Sequence, residues 1–222
     1  ALIPLVCSEL YCRELQGISL KNVTLSVDGG GRRKAEEFGE MIFTHFGISG
    51  PIVLSLSDKV SLWISQGHAV KGYIDLKPAL TQDVLDKRVL RDLEKYHLKQ
   101  MAGALVDLMP HRMIDTILAL AEIPRDLPVS ELKKGQRLAL VQAMKKMPLT
   151  IVGTRPISEA IVTAGGVSVK EVNPSTMESK IIKHLYLAGE VLDIHAYTGG
   201  YNLQAAFSTG HLAALSAVKE SE

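Results

Sequence analysis

Three observations predict a mixed α/β (α+β) fold. Residues 1–78 read as short strands separated by glycine turns, and residues 79–147 carry apolar side chains at helical spacing between prolines. Residues 148–222 return to β-rich runs and finish on a long helix without charge. These stretches are expected to be a β-rich module, a helical module and a C-terminal segment. No internal repeat or low-complexity linker separates them.

The elements follow in order. In "ISLKNVTLSV", Ile18, Leu20, Val23, Leu25 and Val27 alternate imperfectly, and "DGGGRRK" then supplies a hairpin turn rich in permissive glycine. "AEEFGEMIFTHFGISG" supplies the return strands. "PIVLSLSDKVSLWIS" reads as a helix with Pro51 in its first turn, where a missing N–H is harmless. "HAVKGYIDLKP" restores a strand that ends by Pro78. Leu85, Val89, Leu93 and Tyr96 then share one helical face, with Thr81 as N-cap. Ser130 is expected to cap the helix that runs toward Met147. The clusters "DKRVLRDLEKY" and "LKKGQR" read as solvated faces. From Leu149, "LTIVG", "EAIVTAGGVSVKEV" and "HLYLAGE" read as strands, and a helix covers about 200–218.

Composition narrows the function classes. At 222 residues and 46% hydrophobic content the chain can bury a real core. A formal net charge of +1 leaves no electrostatic footprint for nucleic acid or an anionic membrane, and 5% aromatics make a poor base-stacking platform. Residues 194–218 carry no charge and reach bilayer length. Asn202, Gln204, Ser208 and His211 make insertion costly, so burial inside protein is expected instead. Cys7 and Cys12 lack a second pair, so no metal site is expected. Reduced cysteines in a cytoplasmic protein are the expected state. The chain begins at Ala1 without Met, which reads as a cut end.

Chemistry could sit at three glycine-bearing turns. "THFGISGP", residues 44–51, enters a helix whose N–H groups could face an anion. It lacks the Lys-Ser/Thr of a phosphate-binding loop, so a tight strand-to-helix turn is the preferred reading. A phosphate-binding transferase using Gly47 and Gly50 is correspondingly remote. "VTAGGVSV", residues 162–169, reads first as a hairpin or bulge, though its Gly-Gly pair also admits a flat ligand. In "LYLAGEVLDIHAYTGGYNLQAAFSTGHLAA", residues 185–214, an apolar run stops at Glu190, placed to accept bonds from sugar-type hydroxyls. Gly199 and Gly200 let the main chain come close to a ligand and open a helix. Ala205, Ala206, Gly210, Ala213 and Ala214 suit tight packing of that helix. An ordinary buried helix after an ordinary loop fits these residues equally well.

"GEMIFTHFGISGPIVLSLS", "TAGGVSVKEVNPSTMESK" and "LYLAGEVLDIHAYTGGYNLQAAFSTGHLAA" together resemble the BaiN/YhiN-type flavoproteins, also called aminoacetone-oxidase-like enzymes. The likeness runs in the same order along essentially the whole chain. It implies a β-barrel-like module and a helical module inserted into a glutathione-reductase-type FAD-binding domain, of which only the C-terminal part is present. It implies FAD contacts at Gly189 and Glu190 and at Gly199, Gly200, Tyr201, Asn202 and Leu203, with Thr163, Gly165 and Gly166 lining the flavin from another side. His45, Gly47 and Ser49 become substrate-side candidates, while the catalytic residues stay unassigned. Two departures stand out: no G-x-G-x-x-G turn occurs, and His195 stands where the family more often has an acid.

The implied activity is FAD-mediated hydride transfer between a reduced nicotinamide, NAD(P)H, and a small organic substrate. No nucleic-acid or membrane partner is expected. The chain by itself is expected to fold yet lack flavin and activity, with self-association through exposed sheet edges beyond residue 149. The alternative is a non-catalytic binding or structural module.

Overall fold

Leu20, Val23, Leu25 and Val27 are all buried, although the first two are three residues apart rather than two. The computed structural model, which describes residues 2–196 and 199–219, accounts for this break in alternation. Six strands, β1 (Leu5–Cys7), β2 (Ser19–Asp28), β3 (Lys34–Thr44), β4 (Gly47–Ser49), β5 (Val70–Asp75) and β6 (Met147–Thr154), form a closed antiparallel barrel. Its strand order is β1-β4-β3-β2-β5-β6, with β6 returning to β1. In the β2–β3 ladder Leu20 faces Met41 but Val23 faces Gly39, so β2 carries a bulge. Asn22 takes a left-handed φ of 54° there, a conformation that Asn tolerates better than most residues. A bulge sharpens twist and bend, which a small barrel needs in order to close. The imperfect alternation in the sequence is therefore the mark of closure.

Pro51 opens α2 (Pro51–Ser65), which lays Ile52, Val53, Leu56 and Val60 on the barrel. A short helix, α1 (Leu10–Glu14), follows β1. The helical part comprises α3 (Gln82–Lys95), α4 (Met101–Ala104), α5 (His111–Leu120) and α6 (Lys134–Lys145). Thr81 caps α3 as expected, its side chain accepting from the Val84 N–H at 3.4 Å. Leu85, Val89 and Leu93 join one continuous core with Met113, Ile117, Leu140 and the barrel interior. Ser130 does not cap α6. It lies in a 3-10 turn, Val129–Glu131, and α6 starts at Lys134, where the Gln136 side chain accepts from the Lys133 N–H.

The charge clusters are only partly solvated. Arg137 grips Asp86 with two bonds, 2.7 and 3.1 Å, joining α6 to α3 with both side chains under 20% exposed (16% and 19%). Lys145 pairs with Asp75 at 2.6 Å and also donates to the carbonyls of Lys77 and Leu80, tying α6 to the end of β5. Partial burial makes such geometry matter more than in a surface pair.

The end of α5 gives a clean test. Ile123 donates to the Leu118 carbonyl and Glu122 to that of Ala119, with Ile123 and Leu118 both buried. That is a Schellman stop in which Glu122, at φ 55°, occupies the place glycine prefers. Relief of left-handed strain, about 1–2 kcal/mol, outweighs the added chain entropy of glycine, about 0.5–1 kcal/mol. Glu122→Gly is thus expected to raise stability by roughly 0.5–1 kcal/mol, measured as a higher urea midpoint.

The chain divides at Thr154. The run "LTIVG" therefore belongs to the barrel, where β6 pairs with both β1 and β5. Pairing on both sides leaves β6 no free edge for the expected self-association. The second unit holds residues 2–4 and the described residues from 155 onward. Leu2 bridges to Val162 there, and Arg155 donates to the Pro4 carbonyl.

The strands expected in "EAIVTAGGVSVKEV" and "HLYLAGE" do not form; isolated bridges and 3-10 turns replace them. Their backbone groups are satisfied by nearby turns, as where Asn173 donates to Glu178 and Leu187 to Met177. The terminal helix, α7 (Tyr201–Lys219), forms as expected. It is not buried: among its residues only Ala213 is, while Leu203 is 63% and Phe207 71% exposed. The second core is accordingly small, built from Val172, Met177, Leu192 and Ala213. No helix among the described residues is long and apolar enough to cross a membrane.

Candidate functional site

Main-chain bonds in the second unit join two of the sequence-predicted site segments, the 163–167 and 189–193 turns, and Thr209 ties the second of them to the middle of α7. Val167 donates to the Val191 carbonyl at 2.8 Å, and Asp193 donates to the Val167 carbonyl at 2.9 Å. This single parallel bridge holds the 163–167 turn against the 189–193 turn. Gly166 makes the approach possible: a Cβ there would stand 2.6 Å from the Val191 carbonyl oxygen, and its φ is 143°. Gly166 therefore packs main chain on main chain. Gly165, at φ 100°, is different, because among the described residues nothing lies within 4 Å of an added Cβ. Its N–H donates to the Asp193 carboxylate at 3.2 Å.

Gly189 and Glu190 begin a 3-10 turn, Gly189–Val191, anchored to α7. The Gly189 N–H donates to the Thr209 hydroxyl at 3.0 Å, and that hydroxyl donates to the Ala205 carbonyl at 2.7 Å. Glu190 is exposed, and its carboxylate makes no hydrogen bond or ion pair among the described residues. It is free to accept from a ligand. Gly199 and Gly200 take φ of 116° and 94°, and among the described residues nothing lies within 4 Å of a Cβ added at Gly200.

Gly200 immediately precedes α7, and its carbonyl accepts from Gln204 at 2.9 Å. The first helical N–H groups have no partner further back in the helix, which favours negative charge near them. Asn202 plays a structural part, since its amide accepts from the Ala196 N–H at 2.8 Å and donates to the Ala196 carbonyl at 2.9 Å. Tyr201, Leu203 and Thr163 are exposed. Asp193 and Thr209 are absent from the sequence-based candidates. Both hold main-chain N–H groups of the site turns, and neither lies in a motif that announces such a role.

Open main chain at Gly165 and Gly200, with an unengaged carboxylate at Glu190, suits a flat ligand bearing hydroxyls. The ring and ribityl hydroxyls of a flavin are one such ligand, with Glu190 as the group that would accept from a hydroxyl.

His45, Gly47 and Ser49 lie in the barrel unit. His45 and Phe46 are the two-residue turn between β3 and β4, and the exposed His45 ring stands edge-on to Phe46 at 4.9 Å. Gly47 is buried and abuts β1. Gly50 abuts the Met41 main chain, so neither glycine offers open backbone to a phosphate. Cys7 in β1 is not set up as a nucleophile, because a hydrogen bond with Cys12 and burial push its thiol pKa far up.

The family described as HI0933-like protein barrel and H2TH domain matches residues 1–162. The chain is 37% identical over 185 residues to the 3-dehydro-bile acid delta(4,6)-reductase of Clostridium scindens, covering 83% of this chain and 45% of that protein. It is 31% identical over 212 residues to the ribosomal RNA dihydrouridine synthase of Escherichia coli, covering 94% of this chain and 49% of that one. The Haemophilus influenzae synthase is 33% identical over 218 residues, at 97% and 51% coverage. The chain spans about half the length of the curated relatives it matches.

Proposed function

The chain belongs to the HI0933-like barrel and H2TH family, as its BaiN/YhiN-type motifs imply, and from that premise we propose that it is part of a flavoprotein reductase. The names of its relatives share one chemistry. Taken as chemistry, a reductase of a delta(4,6) system beside a 3-dehydro group and the synthesis of dihydrouridine from uridine would each saturate a carbon–carbon double bond conjugated to a carbonyl. The proposed reaction is the reduction of such an electron-poor double bond, with FAD, when bound, supplying hydride drawn from NAD(P)H. The β-rich and helical modules up to residue 147, with the boundaries expected from the sequence, are proposed as the insert of a glutathione-reductase-type FAD domain. Residues 148–222, less the 148–154 strand that the barrel takes, would be its C-terminal part.

One observation carries the reading: the 163–167 turn, the 189–193 turn and α7 are tied together while leaving Gly165, Gly200 and Glu190 open. In the proposed complex Glu190 accepts from a ribityl hydroxyl. Gly165 and Gly200 let the main chain approach the ring, and the first N–H groups of α7 favour negative charge at its edge. Thr163, Gly189, Gly199, Tyr201 and Leu203 complete that wall. Asn202 holds the loop that precedes it. His45 and Ser49 remain proposals for the substrate side.

A ribosomal RNA substrate is the second reading, favoured by two relatives that align with 94% and 97% of the chain. A net charge of +1 gives this portion little electrostatic hold on RNA.

The test is a polypeptide of the relatives' length that contains this chain. It is expected to purify with a flavin spectrum and to oxidise NAD(P)H with a conjugated enone as acceptor. Turnover on uridine in ribosomal RNA instead would select the second reading, and a colourless protein would support a non-catalytic module. Within that polypeptide Gly200→Val should empty the site, because a branched residue cannot hold φ 94° without strain. Glu190→Ala should weaken FAD by about 1–3 kcal/mol, the scale of a charge-assisted hydrogen bond. Full flavin content in both variants would remove these residues from the site. The 222-residue chain alone is expected to show no flavin fluorescence quenching at micromolar FAD.

A further inference from the structure

At the corner between β1 and α1, three side chains that no part of the proposed reductase chemistry uses converge. One ligand atom from each of Cys7, Glu9 and Cys12 lies within 4.8 Å of the other two. Both cysteines are free thiols, and Cys12 is buried. Glu9 uses one carboxylate oxygen to accept from the Thr150 N–H at 2.8 Å. Its other oxygen, Oε2, is buried with no hydrogen-bond partner among the described residues. Glu9 makes no ion pair among the described residues.

A buried carboxylate oxygen without a partner is costly, and two adjacent thiols are too weak as donors to repay that cost. A cation would. We propose that Cys7, Glu9 and Cys12 bind a thiophilic divalent cation of the zinc class. Two sulfurs and one carboxylate oxygen form a donor set that zinc accepts, with water left to fill a fourth position. Bonds of about 2.0–2.3 Å set tetrahedral ligand edges of roughly 3.3–3.8 Å, so seating the ion asks for a contraction of little more than roughly 1 Å. Binding releases the thiol protons to solvent as the two metal–sulfur bonds form.

The surrounding main chain holds the three residues in place. The Cys7 N–H donates to the Phe46 carbonyl at 3.0 Å, and the Cys12 N–H donates to the Glu9 carbonyl at 3.1 Å. The Ser8 N–H donates to the carbonyl of Thr150 at 3.1 Å, the same residue whose N–H Glu9 accepts. Because β1 pairs with both β4 and β6, the ion would clip the seam at which the barrel closes. The sequence signature is C-x-E-x-x-C in "CSELYC". Zinc sites are usually sought as two pairs of ligands, and a single pair with an acid between them escapes that search.

The experiment is a titration of the reduced, anaerobic protein with Co²⁺, followed by Zn²⁺. One equivalent of Co²⁺ is expected to produce thiolate-to-metal charge transfer and the intense visible bands of a tetrahedral site. Zn²⁺ should then bleach both. Cys7→Ser and Cys12→Ser should each abolish the charge-transfer band. Glu9→Gln keeps an acceptor for the Thr150 N–H but loses the charge, so affinity should fall by roughly tenfold or more while circular dichroism stays native. No charge-transfer band in protein with two titratable thiols would overturn the proposal. So would a band that survives Cys12→Ser, or unchanged affinity in folded Glu9→Gln.

Discussion

Gly47→Ala is expected to cost about 3–5 kcal/mol, a large part of the stability of a typical domain. A Cβ at this position would stand 2.4 Å from the Leu5 carbonyl oxygen, 2.6 Å from the Cys7 nitrogen and 3.2 Å from the Cys7 sulfur. Two of these atoms are main chain of the adjacent strand β1, so no rotamer change can clear them. The φ of 152° adds backbone strain for any L side chain. Relief requires β1 to move away from β4, and those two strands are three residues each. The same movement would drag Cys7 from its pairing with Ile151 on β6. A closed barrel has no spare edge to absorb such a shift. Gly135→Ala in α6 is the matched control: nothing lies within 4 Å of the added Cβ, and no left-handed φ opposes it. It should stabilise by about 0.4–1 kcal/mol. Urea unfolding of both variants checks the pair. A Gly47→Ala midpoint within error of the parent would mean that β1 and β4 can part at this seam without loss of stability.

Gly47 also shows which parts of the fold and site are legible in the sequence. Features fixed by neighbours along the chain can be read: Pro51 at the start of α2, Thr81 at the cap of α3, and the Leu85, Val89, Leu93 face. The β2 bulge is visible too, as a three-residue interval between Leu20 and Val23, though its meaning emerges only once β3 is beside it. What depends on remote pairing is not legible. Nothing local in "LTIVG" says that Ile151 lies opposite Cys7 and Val70, so the sequence alone attaches that strand to the following segment. The runs around Val167 and Tyr186 have strand composition, but composition supplies no ladder. Their N–H and C=O groups are met by turns and single bridges. At the candidate site, Gly189, Gly199 and Gly200 announce themselves by residue type. Asp193 and Thr209 do not, because a carboxylate or hydroxyl that holds a main-chain N–H looks like any other polar residue. The uncharged face of α7 suggests burial, yet Leu203, Phe207 and Val218 stand exposed in this chain. Absence of charge marks a face that avoids water without naming what covers it.

Gly166→Ala is expected to disrupt the second unit while sparing the barrel. The added methyl would meet the Val191 carbonyl oxygen at 2.6 Å, the Leu192 carbonyl carbon at 2.9 Å and the Asp193 nitrogen at 3.0 Å. All three are main-chain atoms, held by the bonds that join Val167 to Val191 and Asp193. To admit the methyl the two turns must part, which breaks that bridge and the Gly165 bond to Asp193. Leu192 is the bridge partner of Val167 and one of four buried residues in the small second core. Displacing it removes support from Met177 and from Ala213 of α7. A cost of about 2–4 kcal/mol combines main-chain overpacking with the lost bonds. So small a core has little reserve against it. Hydrogen exchange gives the reading residue by residue. The Val167 and Asp193 amides should lose protection, whereas Leu25 and Val27 in β2 should exchange as in the parent, since their core is separate. In the flavin-bearing polypeptide the same substitution should lower FAD content as severely as Gly200→Val, although Gly166 would act by positioning Gly165 and Glu190 rather than by touching the cofactor. Retained protection at Val167 together with lost flavin would move Gly166 into direct contact with the cofactor. Retained protection with full flavin would show that the two turns tolerate separation and that the site does not depend on their bridge.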